Sequence, residues 1–116
     1  MRTQSHSQPV WRPVCTRADL VANSGGVALV DGIQVALFFV PDAGEQTLYA
    51  IENHDPKSGA NVIGRGIVGH IGGDLVVASP IYKQHFRLID GLCLEYPEHR
   101  LQTWKARFNG DSVELA

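Results

Sequence analysis

The sequence lacks the features that define membrane-spanning and nucleic-acid-binding proteins. Its longest purely apolar run, Val35 to Val40, is far shorter than the roughly 20 residues needed to cross a bilayer. Ten basic residues against twelve acidic residues leave a net charge of -2, so there is no overall basic field for nucleic acid or anionic lipid. We therefore expect neither a membrane nor a nucleic acid as a partner.

Cysteine is also scarce, with only Cys15 and Cys93 in 116 residues and no C-x-x-C pair. Two buried, reduced thiols are the prediction, although a disulfide stays open because sequence does not place the two sulfurs in space. Residues Met1 to Pro9 contain no apolar core of a secretion signal, which predicts a flexible tail over 1–10 and a cytoplasmic location. The remaining residues, 11–116, suit one domain.

The hydrophobic pattern predicts strands, because no window keeps an apolar face at helical spacing for three turns. The clearest signal is a hairpin in which Gly26–Val30 and Ile33–Val40 flank Asp31-Gly32, a pair that accepts the positive φ angles of a type I′ turn. Helix is predicted only as a short stretch around Thr16–Leu20. The other predicted strands are Leu48–Glu52, Asp74–Ala78 after Gly72-Gly73, and a C-terminal hairpin in which Trp104, Ala106 and Phe108 alternate with charged residues before Asn109-Gly110 turns into Val113–Leu115.

Two segments, Asn53–Ala60 and Ser79–Phe86, interrupt this strand pattern. Each directly follows a predicted strand and contains a proline, which fixes φ and removes a hydrogen-bond donor. We expect both to be ordered loops. Loops held on a sheet are common places for functional residues.

Other candidate motifs favour structural interpretations. Gly64-Arg65-Gly66 with Gly69 is not followed by a helix and predicts tight turns around Ile67 and Val68 rather than a phosphate site. A triad of Ser79, His85 and Asp90 lacks the G-x-S-x-G nucleophile turn. His54, His70 and His85 lack metal-ligand spacing. Trp11, Trp104 and Phe108 are predicted to be core aromatics.

The two loops resemble those of a Rieske domain, in which the first loop reads C-P-H-x-G and the second reads C-P-x-H around an iron-sulfur cluster. Here the corresponding strings are Asp55-Pro56-Lys57-Ser58-Gly59 and Ser79-Pro80-Ile81-Tyr82. The resemblance implies an all-β, Rieske-like antiparallel sandwich or barrel with little helix and two loops at the former cluster site. It also implies that Asp55, Lys57, Ser79 and Tyr82 occupy the positions of lost cluster ligands.

The chemistry of these four side chains argues against a cluster. A Rieske centre needs two thiolates on one iron and two imidazoles on the other, whereas this chain offers a carboxylate, an ammonium, a hydroxyl and a phenol. We expect the chain to bind no metal or cofactor. A polar network in which Lys57 pairs with Asp55 or Tyr82 is the hypothesis for how the loops stay closed.

Among Rieske-like proteins without a cluster, the chain resembles the small subunit of assimilatory NAD(P)H-dependent nitrite reductase, over Trp11 to Leu115. The most specific segment is Ser79-Pro80-Ile81-Tyr82-Lys83-Gln84-His85-Phe86. The other similar segments are Trp11 with Val14-Cys15, Ala18–Leu20, Leu48–Ile51, Asn53–Pro56, Arg65–Gly69 and Val77-Ala78.

This resemblance implies a non-catalytic subunit of an enzyme that reduces nitrite to ammonium. In that family the large subunit carries FAD, an iron-sulfur cluster and sirohaem, and the small chain binds and stabilises or poses it. The expected contact residues are Tyr82, Lys83, Gln84, His85 and Phe86.

Two alternatives remain at this stage. A Rieske-type electron-transfer ferredoxin with non-standard ligands would contain iron and absorb visible light. A free-standing enzyme using Ser79 or Asp55 would turn over a substrate without any partner.

Overall fold

The computed structural model describes residues 9–42, 44 and 46–116, so residues 1–8 of the predicted tail lie outside the described part. Ten strands form three antiparallel sheets, ordered β1-β10-β9, β2-β3-β4-β8 and β5-β6-β7. The strands are β1 Arg12–Thr16, β2 Gly25–Val30, β3 Ile33–Phe39, β4 Leu48–Glu52, β5 Ile67–Ile71, β6 Asp74–Ala78, β7 His85–Arg87, β8 Thr103–Trp104, β9 Ala106–Asn109 and β10 Ser112–Leu115. Two 3-10 helices, Arg17–Asp19 and Ile63–Arg65, complete the regular structure. Within these residues, no helix has the length and apolar character to cross a bilayer.

The central strands β3 and β4 of the four-stranded sheet are buried on both faces, which explains the unbroken apolar run in β3. Val35 and Leu37 face one core cluster, which includes Val113 and Leu115 of β10. The intervening residues face a second cluster, which includes Val77 of β6 and Phe86 of β7. The domain is therefore an all-β layered sandwich, as the sequence predicts.

The predicted hairpin at Asp31-Gly32 is confirmed. Both turn residues have positive φ, 51° and 81°, as a two-residue type I′ turn requires. β4 and β6 also have the predicted bounds, and the predicted helical stretch contains the 3-10 helix over Arg17–Asp19. These elements set the two predicted loops at the ends of β4 and β6.

The structure corrects the sequence prediction in three strands, of which β1 over Arg12–Thr16 is not predicted at all. Ile67–Ile71 is the edge strand β5 rather than a pair of turns, and its first residue is 77% exposed, so no apolar alternation marks it. The second predicted loop ends at Gln84, because His85–Arg87 forms β7 and pairs with β6.

The C-terminal hairpin also differs from the prediction. It turns at Gly110-Asp111, one residue later than predicted, with Ser112 opposite Asn109. Gly110 has the positive φ, 61°, that a Gly-X turn needs at its first position. Trp104 lies on β8 and pairs with β4 in the central sheet, so it does not share a strand with Ala106 and Phe108.

Cys15 and the three aromatic residues are less buried than predicted. Both thiols are free, but Cys15 is only half-buried, while Cys93 is fully buried in the other core cluster. Trp11, Trp104 and Phe108 are all half-buried, and Trp104 and Phe108 pack against the edge of one core cluster. Guanidinium groups cover two of these rings: Arg107 lies 4.1 Å from the Trp11 centroid and Arg17 lies 3.7 Å from that of Phe108.

Candidate functional site

The first loop, Asn53–Ala60, leaves β4 and closes on itself around Asp55. The Asp55 carboxylate atom Oδ1 accepts hydrogen bonds from the backbone N–H groups of Lys57 (2.9 Å) and Ser58 (3.2 Å), which is an Asx-type turn. The Asp55 N–H donates to the Ala60 carbonyl at 2.8 Å. Gly59 takes a φ of 76°, a conformation that other residues rarely adopt. The loop is therefore fixed by its own backbone.

The second loop, Ser79–Gln84, closes in the same way. The Ser79 N–H donates to the Gln84 carbonyl at 2.8 Å, and the Lys83 N–H donates to the Ser79 carbonyl at 2.9 Å. Lys83 has a φ of 57°, the left-handed region that often ends such a turn. The last two residues of this loop are therefore hydrogen-bonded to its first residue, Ser79.

A hydrogen bond joins the two loops at their bases. The Ser79 hydroxyl donates to the Asp55 carboxylate, and both residues are fully buried. Burial alone raises the pKa of Asp55, but the hydrogen bonds from the Ser79 hydroxyl and from the Lys57 and Ser58 amides outweigh it and hold the pKa below the usual value. The buried group is thus a carboxylate with three donors around it.

A second contact joins the loops at the tips. The Lys57 ammonium lies 4.9 Å from the ring centroid of Tyr82 and 5.1 Å from that of Tyr96, within the range of cation–π attraction. The sequence hypothesis paired Lys57 with either Asp55 or Tyr82. The Lys57 ammonium contacts Tyr82, whereas Asp55 accepts a hydrogen bond from the Lys57 backbone N–H. The hypothesis missed Tyr96, which comes from a third segment, and it missed the bond between Asp55 and Ser79.

These residues do not fit a [2Fe–2S] cluster. Asp55 and Ser79 already bond to each other, and Lys57 places a cation between two phenol rings. The thiols lie elsewhere: Cys15 packs in the core cluster of β10, and burial raises the pKa of Cys93, which disfavours the thiolate that iron requires. The described residues include no group of three His, Cys, Asp or Glu side chains that could hold a metal ion.

The predicted contact residues divide into an exposed part and a buried part. Tyr82 is 54% exposed and Lys83 is exposed, whereas Gln84 and Phe86 are buried at 2% and 0%. Phe86 is buried because β7 begins at His85 and turns the next side chain inward, opposite Val77. Gln84 and Phe86 are therefore structural residues, and a partner in contact with this loop meets Tyr82 and Lys83 first.

His85 is held by Glu95. The backbone N–H of His85 donates to Glu95 Oε1 at 2.8 Å, and the ring atom Nδ1 of His85 lies 2.6 Å from Glu95 Oε2. Burial raises the pKa of Glu95, but these two hydrogen bonds outweigh it and lower the pKa overall. The contact ties β7 to the segment that carries Tyr96.

The structure places the other candidate groups apart from one another. Ser79 bonds to Asp55, His85 bonds to Glu95, and Asp90 pairs with Arg87 at 2.9 Å, so the three do not form a triad. The Gly64-Arg65-Gly66 motif is a 3-10 turn packed on neighbouring backbone, where a Cβ on its second glycine would meet the Ala78 carbonyl oxygen at 2.4 Å.

The lowered pKa of Asp55 makes the stability of the domain sensitive to acid. A carboxyl group with a depressed folded-state pKa contributes stability above its unfolded pKa, about 3.9 for Asp, and loses it as the pH falls through the folded pKa. We expect the urea concentration at which half of the wild type is unfolded to decrease as the pH is lowered from about 5 to about 3. Asp55→Asn removes part of this dependence, and the exposed-site control Asp42→Asn does not. Equal acid sensitivity in the wild type and Asp55→Asn contradicts this prediction.

The fold and the two apposed loops define the class of this protein. Residues 10–116 match the family described as the Rieske-like [2Fe-2S] domain. The chain belongs to this family.

Its relatives are more specific. The chain is 40% identical over 105 residues to the small subunit of nitrite reductase (NADH) from Salmonella typhimurium, covering 90% of this chain and 95% of that protein. The NMR structure of the Escherichia coli protein NirD matches with a TM-score of 0.81 at 36% identity, covering 91% and 94% of the two chains. A third relative, the large subunit of nitrite reductase [NAD(P)H] from Klebsiella oxytoca, is 34% identical over 103 residues, which are 89% of this chain and 10% of that protein. Within the Rieske-like family, the chain is a member of the nitrite reductase small-subunit group.

Proposed function

We propose that this chain is the non-catalytic small subunit of a cytoplasmic NAD(P)H-dependent nitrite reductase, and that it binds the large subunit and stabilises or poses it. The observation that carries the proposal is the bond between Asp55 and Ser79. This bond joins the two loops directly, and its two side chains stand at positions where the resemblance places cluster ligands. The loops are thereby kept as a rigid surface, while the donor set leaves no place for a cluster.

The chain's part in the reaction then follows from what its residues can do. The Asp55 carboxylate accepts three hydrogen bonds, one of them from the Ser79 hydroxyl, and both residues are fully buried, so no substrate in solution reaches either as a base or a nucleophile. FAD, the iron-sulfur cluster and sirohaem belong to the large subunit in this proposal. The electrons that convert nitrite to ammonium do not pass through this chain.

The Klebsiella relative supports a direct association. A domain similar to this chain makes up 10% of a protein named as the large subunit, so in that protein the two parts share one polypeptide. We propose the same partnership here between separate chains, with one copy of this chain for each large subunit.

Co-expression with the large subunit tests this proposal. A tagged form of this chain is expected to co-purify the sirohaem flavoprotein, and a strain without the chain is expected to lose NADH-dependent nitrite reduction. Absence of co-purification, together with unchanged nitrite reduction in the deletion strain, contradicts the assignment.

Iron analysis separates this proposal from the ferredoxin alternative. The chain purified anaerobically on its own is expected to be colourless and free of iron and acid-labile sulfide. Stoichiometric iron and sulfide would instead establish an electron carrier with non-standard ligands.

A further inference from the structure

A third segment, Leu94–His99, lies against the two loops. The Leu94 N–H donates to the His85 carbonyl at 2.9 Å, and the Gln84 side chain lies 3.2 Å from His99 through Nε2 and Nδ1. Together with the contact between His85 and Glu95, these bonds anchor the segment to the last residue of the second loop and to the start of β7. Tyr96 is thereby held where its ring shares the Lys57 ammonium with Tyr82.

The three segments combine exposed apolar groups with exposed cations. Ile81, Tyr82 and Tyr96 are 46%, 54% and 40% exposed. Lys57 and Lys83 are exposed as well, and neither has an ion-pair partner among the residues that the structure describes.

The acidic residues of these segments differ from the lysines in their environment. The Asp55 carboxylate is buried against Ser79, and that of Glu95 is bonded to His85. Glu98 is exposed and is the acidic group of these segments that faces the solvent without a bond in the described structure. Glu95 is also exposed, but it is paired with His85. Among the exposed charges of these segments that have no bonded partner in the described structure, two cations therefore stand against one anion.

We propose that Ile81, Tyr82 and Tyr96, with Lys57 and Lys83, form one docking patch, and that its occupant is an acidic segment of the nitrite reductase large subunit. This inference rests on the function proposed above and names the surface and its chemistry. A carboxylate of the large subunit pairs with the two lysines, and the apolar stem of the same segment packs on the aromatic rings.

The geometry of the patch favours binding for two reasons. Tyrosine rings provide large contact areas at a small cost in side-chain entropy, and aromatic residues are common at the centres of interfaces. The Lys57 ammonium is also positioned before binding by its two aromatic neighbours, and the Lys83 backbone is fixed by its hydrogen bond to the Ser79 carbonyl. Such preorganisation reduces the entropy that association costs.

The experiment measures the affinity of the full chain and its variants for the purified large subunit by titration calorimetry. Tyr96→Ala and Lys83→Glu are each expected to weaken binding by about tenfold or more, as central interface residues do. Tyr96→Phe keeps the ring and is expected to bind within about twofold of the wild type. The matched controls are Ile67→Ala on β5 and Lys105→Glu between β8 and β9, and both are expected to bind as the wild type does.

Three outcomes decide the question. If the wild type does not bind the large subunit, the proposed function itself fails. If the wild type binds but Tyr96→Ala and Lys83→Glu bind equally well, while their urea midpoints match that of the wild type, the function stands and the patch is wrong. If Tyr96→Ala weakens binding but Lys83→Glu and added salt have no effect, the acidic nature of the occupant is wrong.

Discussion

Replacing Asp55 with alanine is expected to lower the free energy of unfolding by about 3 kcal/mol, because three donors lose their acceptor at once. The Ser79 hydroxyl is fully buried and has no access to water in the folded state. The Lys57 and Ser58 amides are partly buried, and each loses the bond that shapes the first loop. Urea denaturation followed by circular dichroism measures the change.

Two milder variants serve as controls for Asp55→Ala. Asp55→Asn keeps an oxygen acceptor for the two amides and is expected to cost about 1 kcal/mol, as is Ser79→Ala, which removes a single bond. The double variant Asp55→Ala with Ser79→Ala is expected to be less destabilised than the sum of the singles, because it leaves no orphaned hydroxyl. If Asp55→Ala unfolds at the wild-type urea concentration, the carboxylate does not hold the loops together.

Gly25→Ala is expected to destabilise the domain by at least about 3 kcal/mol, whereas its neighbour Gly26→Ala changes stability by less than about 0.5 kcal/mol. A Cβ on Gly25 would lie 2.1 Å from the Gly64 carbonyl oxygen and 2.9 Å from Cε1 of Phe38. The Gly64 carbonyl belongs to the backbone and cannot move aside as the end of a flexible side chain could. A Cβ on Gly26 meets no atom within 4 Å among the described residues.

The effect of Gly25→Ala is expected to reach the first loop. The Gly64 N–H donates to the Asn53 Oδ1 atom at 2.7 Å, and Asn53 begins the loop that contains Asp55. Amide chemical shifts of residues 53–60 should therefore change in Gly25→Ala and stay constant in Gly26→Ala. Equal stability of the two variants would show that the contact between β2 and the 3-10 turn is loose.

The strands that could be predicted are those with strong local signals. The turn at Asp31-Gly32 needs two positive φ angles, and the apolar run of β3 is buried on both faces, so local chemistry and packing agree there. β5 was missed because its outward residues are exposed and its glycines resemble turns. β7 was missed because its three residues follow a proline-containing loop and are too few to show alternation.

The candidate site could be predicted in its parts but not in its connections. Proline placement indicated both loops, which lie at the ends of β4 and β6. The bond between Asp55 and Ser79 spans 24 residues, and Tyr96 arrives from a segment with no motif of its own, so neither contact has a signature in the sequence. The burial of Gln84 and Phe86 depends on where β7 begins, which only the pairing with β6 decides.

The bond between Asp55 and Ser79 also bears on how the subunit is produced in the cell. If the chain holds no cluster, as proposed above, its loops are closed by a carboxylate and a hydroxyl that the chain itself supplies, and its folding does not wait for a cluster-assembly scaffold to deliver inorganic groups. Its supply is then independent of iron starvation and of oxidants that destroy exposed clusters. In the assembly proposed above, prosthetic-group biosynthesis limits only the larger partner, and this chain is ready to receive it.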